Sequence, residues 1–165
     1  YEELPGDCVN PIIDRIQLGR VAVRAFDIPH DAAAPVGYII QGTSRCVVAT
    51  DIGNVDDRLQ QMLEGAQVLV LEANHDEEML RQGSYPYNLK QRILGPLGHL
   101  SNRRMAKVVA ELRRRPQKLI LAHLSESNNR PELAMDTVKS VLDSYGINNM
   151  EIYMTAQNHS TRVDF

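Results

Sequence analysis

Three residues of metal-ligand type stand just beyond apolar segments that read as strands. His30 follows the segment ending at Phe26, Asp51 follows residues 45–50, and His123 follows Lys118–Ala122. Imidazole suits zinc, iron or manganese, and a carboxylate has two oxygens with which to bridge a pair of cations. Ligand sites in open α/β sheets gather at the carboxyl ends of strands, so these three make a sensible partial metal set. Taken singly, each also fits a plainer account: a hydrogen-bonded loop histidine, or an aspartate forming the turn before Ile52-Gly53. A fourth candidate is Gly98-His99-Leu100-Ser101-Asn102, where a helix starting near Ser101 would offer free N–H groups to an anion. His99 would sit beside that anion, able to protonate a leaving oxygen; a helix cap with an exposed histidine explains the same residues. His75 and Asp76 end another strand, in either a supporting role behind the ligands or a helix N-terminus.

These residues need elements to hold them. Residues 1–11 read as an irregular lead-in and 20–26 as a half-buried strand, polar and apolar side chains alternating. Residues 37–41 and 45–50 read as a hairpin through Gly42-Thr43-Ser44. Helical spacing follows over 55–64, then a short apolar strand of the parallel type over 67–72, a short helix over 76–82 and another helical turn over 89–94. Ser101 caps a helix expected to run to Arg115, where Pro116 ends it. A buried strand at Lys118–Ala122, a helix from Pro131 to Tyr145 stopped by Gly146, and a strand over 150–155 complete the order. Strands first, then alternating β and α, define an α/β class with a mixed sheet and no internal domain boundary.

The 165 residues carry a net charge of −3 that conceals an asymmetry. Residues 1–80 hold 5 basic and 14 acidic side chains (net −9), 81–118 hold 10 and 1 (net +9), and 119–165 hold 3 and 6 (net −3). The basic segment fits either a solvated helix face or an anionic substrate beside a chemical site. No apolar run approaches the roughly 20 residues that cross a bilayer, so no membrane association and a cytoplasmic location are expected. Cys8 and Cys46 lie far apart without CxxC spacing; a reduced pair is preferred to a disulfide, and Cys46 reads as a small core residue. His159 has no evident role beyond tail or surface.

Several of these segments together resemble the YycJ (WalJ) branch of metallo-β-lactamase-fold hydrolases. Pro29-His30-Asp31-Ala32 with Pro35-Val36-Gly37-Tyr38 is similar to its third metal motif, and Ala49-Thr50-Asp51-Ile52-Gly53 to its fourth. Leu121-Ala122-His123-Leu124-Ser125, followed by Asn128-Asn129, is similar to its fifth. The runs 71–80 and 85–94 and Gly98-His99-Leu100-Ser101-Asn102 look like branch signatures, and the likeness spans about residues 20–145. It implies the C-terminal half of a four-layer αββα sandwich with two divalent metals (zinc, manganese or iron) between its sheets. It puts His30 on one metal, His123 on the other and Asp51 between them. It puts His99 at the substrate phosphate or leaving group, with Ser101, Asn102 and Arg103 suited to phosphate contact and His75 and Asp76 behind the ligands. Arg113, Arg114 and Arg115 are expected at the solvated end of the helix that begins at Ser101.

The family's second motif, His-x-His-x-Asp-His, is absent: histidines occur only at 30, 75, 99, 123 and 159. It is expected before Tyr1, so the chain as it stands supplies three ligands for two metals and is expected to bind metal weakly and to be inactive alone. Half a sandwich also exposes an apolar sheet face, which could pair with a second copy. By resemblance the activity is a 5′-to-3′ exonuclease on double-stranded DNA, DNA being preferred to RNA as partner. A small-molecule (cyclic) phosphodiesterase is the enzyme alternative, and a metal-free interaction module the alternative of another class.

Overall fold

A computed structural model describes residues 15–157 and 159–164. The lead-in and Cys8 lie outside these.

One seven-stranded sheet organises the chain, its strands in sequence order: β1 (Ile16–Leu18), β2 (Val21–Asp27), β3 (Val36–Gln41), β4 (Arg45–Ala49), β5 (Val68–Glu72), β6 (Lys118–Ala122) and β7 (Glu151–Met154). β1 to β4 are antiparallel neighbours; β4 to β7 are parallel. Loop length dictates the change. Helix-free connections of two, eight and three residues return the chain antiparallel, whereas each later strand is reached through a helical crossover, as a parallel pairing demands. The expected hairpin forms with Gln41 opposite Arg45. β1, turning into β2 at Gly19 with φ 60°, has no counterpart in the sequence-based reading. Three residues are too few for period-2 alternation to register.

The helices are α1 (Asp57–Leu63), α2 (Glu77–Gln82), α3 (Tyr87–Leu94), α4 (Asn102–Glu111) and α5 (Pro131–Ser144). One sheet face contributes Val47, Ala49, Leu69, Leu71, Leu119 and Leu121, all fully buried in one cluster with Leu59, Leu63, Met105, Val109, Val138 and Leu142 from the helices. Across the pleat, Val23, Tyr38, Ile40, Val48, Val70 and Ile120 are only half-buried. That is the face a second sheet covers in a four-layer sandwich. Cys46 shares it, and burial pushes its thiol up, which makes it a poor nucleophile.

α4 ends sooner than the sequence suggests. Ser101 caps it as expected, accepting from Arg104 N–H at 3.2 Å, but the helix stops at Glu111 rather than Arg115. The Glu64 carboxylate accepts the backbone N–H groups of Arg113 (2.9 Å) and Arg114 (3.0 Å), drawing the chain off the helix axis. Arg115 then turns back and donates twice to the Ala110 carbonyl, so one of the three arginines satisfies the helix end directly. A distant carboxylate thus overrides local helix propensity. No helix among the described residues is long and apolar enough to cross a membrane.

Candidate active site

The carboxyl ends of β4, β5 and β6 present Asp51, Glu72 and His123 side by side. His30 and His99 arrive from the β2–β3 loop and the α3–α4 loop. Two ends are strained: Asp51 (φ 61°) and His123 (φ 56°) are the non-glycine residues with positive φ among those described. Such conformations cost on the order of 1–3 kcal/mol and persist only where surroundings over-determine them. Here Asn74 donates from Nδ2 to the His123 carbonyl (3.0 Å), and Thr50 donates from its hydroxyl to Asp51 Oδ2 (3.1 Å).

The loops interlock. Gly53 N–H donates to the Pro29 carbonyl (3.3 Å), joining the Asp51 loop to the His30 loop. A Cβ on Gly53 would overlap the backbone of Pro96 and Gly98, and one on Gly98 the carbonyls of Arg92 and Ile93. Glycine is therefore required where the Asp51 and His99 loops cross. The Gly98 carbonyl faces His30 Nδ1 at 3.2 Å. A carbonyl only accepts, so Nδ1 carries the proton and Nε2 is left free, 3.7 Å from Asp51 Oδ1.

Asp51 Oδ1 is the common centre. His123 Nδ1 lies 3.6 Å from it and His99 Nδ1 3.9 Å. Two atoms bound to one tetrahedral cation at about 2.0–2.2 Å sit roughly 3.3–3.6 Å apart; the His123 spacing falls in that range, the other two lie just beyond it, and all three are too long for direct hydrogen bonds. Asp51, Glu72, His99 and His123 can each offer one donor atom with all four within 4.8 Å of one another. Glu72 and the His99 ring are hydrogen-bonded to each other, so Asp51 and His123 are the members of this group left for a divalent cation; His30 lies outside the group but brings Nε2 to 3.7 Å from Asp51 Oδ1.

Glu72 is the site residue that sequence reasoning missed; it lay inside a recognised segment but received no role. It is fully buried. Oε1 accepts from Leu100 N–H and from His99 Nδ1, both at 3.0 Å; Oε2 accepts from Ile52 N–H at 3.0 Å and lies 3.5 Å from His123 Nδ1. Burial alone would raise its pKa, but His123 and His99 outweigh that and hold the carboxyl below its ordinary value. Glu72 in turn raises the His123 imidazole, against the opposing effect of burial. Holding three hydrogen bonds and facing His123, Glu72 sits where it can orient both histidines, and it leaves His99 Nε2 free. The available signal was a carboxylate closing an otherwise apolar strand, which rarely buries there without a partner.

The other expected residues fall differently. Ser101 and Asn102, expected at the phosphate, are each 1% exposed. Ser101 donates to Glu77 Oε1 (2.9 Å), and Asn102 exchanges amide hydrogen bonds with Asn129 at 3.0 and 2.9 Å. Both brace the start of α4, leaving no polar atom for substrate. Arg103 and Lys107 are exposed on α4, and Arg104 reaches Asn54 Oδ1 at 3.2 Å. Asp76 caps α2, accepting from Glu78 and Met79 N–H. His159 is exposed.

His75 is 1% exposed, and neither ring nitrogen meets a hydrogen-bond partner among the described residues. Desolvation drives its pKa down to about 4. The unfolded imidazole titrates near 6.5. Stability is therefore whole above pH ~6.5 and falls as pH drops to about 4, by at most about 3 kcal/mol, because only the unfolded chain takes up the proton in that window. Urea unfolding at pH 7 and 4.5 should show this loss in the parent and not in His75→Leu. Equal losses in the two would show that His75 is not held neutral.

A mixed sheet with clustered His and Asp at the ends of its strands defines a metallo-β-lactamase-type hydrolase fold. The family described as the Beta-lactamase superfamily domain matches residues 9–124, and the chain belongs to it. The exodeoxyribonuclease YycJ of Bacillus anthracis is 39% identical over 152 residues, 89% of this chain and 58% of the relative. The exodeoxyribonuclease WalJ of Streptococcus pneumoniae is 44% identical over 126 residues, 75% of this chain and 47% of the relative. The chain thus spans about half the length of the curated relatives it matches. The crystal structure of the metallo-β-lactamase-fold protein YhfI from Bacillus subtilis shares the fold, with a TM-score of 0.61 at 14% identity over 88% of this chain and 51% of that one.

Proposed function

We propose that this chain forms the C-terminal half of a metal-dependent phosphodiester hydrolase, a 5′-to-3′ exonuclease on double-stranded DNA. The observation that carries the reading is the Glu72–His99 pair set beside Asp51 Oδ1: an oriented proton donor next to a cation-type donor cluster. Names of the relatives support DNA as substrate, and the exposed Arg103 and Lys107 beyond His99 suit a polyanion.

His30, Asp51 and His123 would hold the cations, with Asp51 between them. When bound, such a pair supplies an acidified water and neutralises phosphoryl charge. The chain's own residues do the rest. Glu72 accepts the His99 Nδ1 proton and fixes the ring, so that a proton on Nε2 faces the departing oxygen. Burial of Glu72 keeps that orientation rigid, and such positioned acid catalysis contributes about 10²–10⁴-fold.

The test is a time course with the full-length protein, loaded with zinc or manganese, on duplexes labelled at either 5′ or 3′ ends. Early release of 5′-terminal mononucleotide, suppressed by His99→Ala, is the expected result. Hydrolysis of bis(p-nitrophenyl) phosphate that excess DNA leaves uninhibited would overturn the DNA assignment in favour of a small phosphodiester. The 165-residue chain alone, with three ligands for two cations, should show neither activity.

A further inference from the structure

Two cavities meet at His123. One, of about 560 Å³, is lined by Leu124, Arg130, Pro131 and Met154 and excludes His99. The other, of about 300 Å³, contains His30 and His99 and is walled by Tyr85, Leu89, Arg92 and Ile93. In a phosphodiester each side of the phosphorus carries a nucleoside, and the leaving oxygen must lie beside the proton donor. Only the smaller of these two cavities offers that donor.

We propose that the 300 Å³ cavity receives the 5′-terminal nucleoside of the substrate, the one whose 3′ oxygen departs, with Tyr85 stacking on its base. This rests on the phosphodiesterase reading above. In the reaction a water oxygen forms a bond to phosphorus and the P–O3′ bond breaks. The electron pair goes to O3′, which takes its proton from His99 Nε2, while the proton lost by the attacking water passes to solvent, from which His99 is reprotonated.

The wall is built before any substrate arrives. Lys90 Nζ donates to the carbonyls of Arg81 (2.8 Å) and Gly83 (2.6 Å), clamping the turn that leads into Tyr85. A Cβ on Gly83 would stand 2.7 Å from Asn128 Oδ1, so that turn seats on the loop after His123. Arg92 grips Asp31 with both arms of its guanidinium, tying α3 to the His30 loop. Its charge is therefore matched, and the pocket selects for an apolar, stackable face rather than for a second phosphate. An aromatic side chain and two aliphatic ones suit any base, because every base has a π-face. The volume sits at the small end of ligand sites, which suits one nucleoside extruded from its pair.

Kinetics of the full-length, metal-loaded protein on frayed-end duplexes test this, with an abasic site at the first or second 5′ position. Removing the terminal base should lower kcat/KM about 10- to 100-fold, as expected for one stacked base. Tyr85→Ala should lose the same factor on the intact substrate and nothing further on the terminally abasic one, while Tyr85→Phe behaves as the parent. Losses that multiply, or a Tyr85→Ala effect that follows the second base, would overturn the assignment. Titration with deoxyadenosine, followed by calorimetry, reads the pocket without catalysis: weaker binding to Tyr85→Ala is expected. If no phosphodiester is cleaved at all, the parent reading falls; if Tyr85→Ala also binds deoxyadenosine unchanged, the pocket falls with it.

Discussion

Asp51→Asn in the full-length protein should release metal on dialysis and lower kcat by roughly 10³-fold or more. That factor corresponds to the several kcal/mol of charge stabilisation a bound cation provides. The choice of asparagine matters. Asp51 holds φ 61°, a conformation Asn adopts readily and Ala does not. Asp51→Ala would therefore add a folding cost of about 1–2 kcal/mol to the lost ligand. Asp51→Asn isolates ligation: fold and melting temperature stay near the parent's while metal content falls. The Thr50 hydroxyl can still donate to the amide oxygen, which puts the NH₂ in place of Oδ1 among the three imidazoles and so removes both the charge and the ligating lone pair there. Elemental analysis of the dialysed protein checks the result; full metal occupancy in Asp51→Asn would remove Asp51 from the ligand set.

Glu72→Gln should have the opposite signature: metal held to within about 10- to 100-fold of the parent affinity, but kcat lowered by about 10²–10⁴-fold. Three hydrogen bonds converge on Glu72, from the N–H groups of Ile52 and Leu100 and the His99 ring, and His123 Nδ1 lies 3.5 Å away. An amide can accept at one oxygen only, so its NH₂ is forced against at least one donor at a position that is itself fully buried. An unmade hydrogen bond in that setting costs about 1–3 kcal/mol, and the His99 ring loses its fixed direction. A smaller loss of stability than of activity is the result that matches an orienting role. Loss of metal equal to that in Asp51→Asn would instead make Glu72 a ligand.

These two carboxylates show how differently sequence and structure speak. Asp51 was legible because a carboxylate stands alone after an apolar strand and before a glycine, where a ligand or a turn is the available explanation. Glu72 was not, because an acidic residue followed by Ala73-Asn74-His75-Asp76 reads equally well as the start of a loop. Its significance lies in what surrounds it: residues 20 to 51 positions away fold onto its oxygens. Ser101 erred in the other direction. A helix-capping serine next to a histidine looks like an anion site, but its hydroxyl is taken by Glu77 from α2, a partner 24 residues distant that no local pattern announces.

Apart from the three-residue β1, the sequence by itself determined which segments become strands and helices, since period-2 and 3.6-residue apolar patterns are local properties of the chain. It also determined where ligand-type side chains must emerge, because the carboxyl ends of parallel strands lie together in any such sheet. Only the tertiary structure decided which of those side chains face one another and which way their ring nitrogens point. It also showed that α4 stops at Glu111 and that one buried glutamate orients the histidines. Each of those outcomes depends on hydrogen bonds between residues far apart in sequence, formed where water is excluded and an unpaired group is costly.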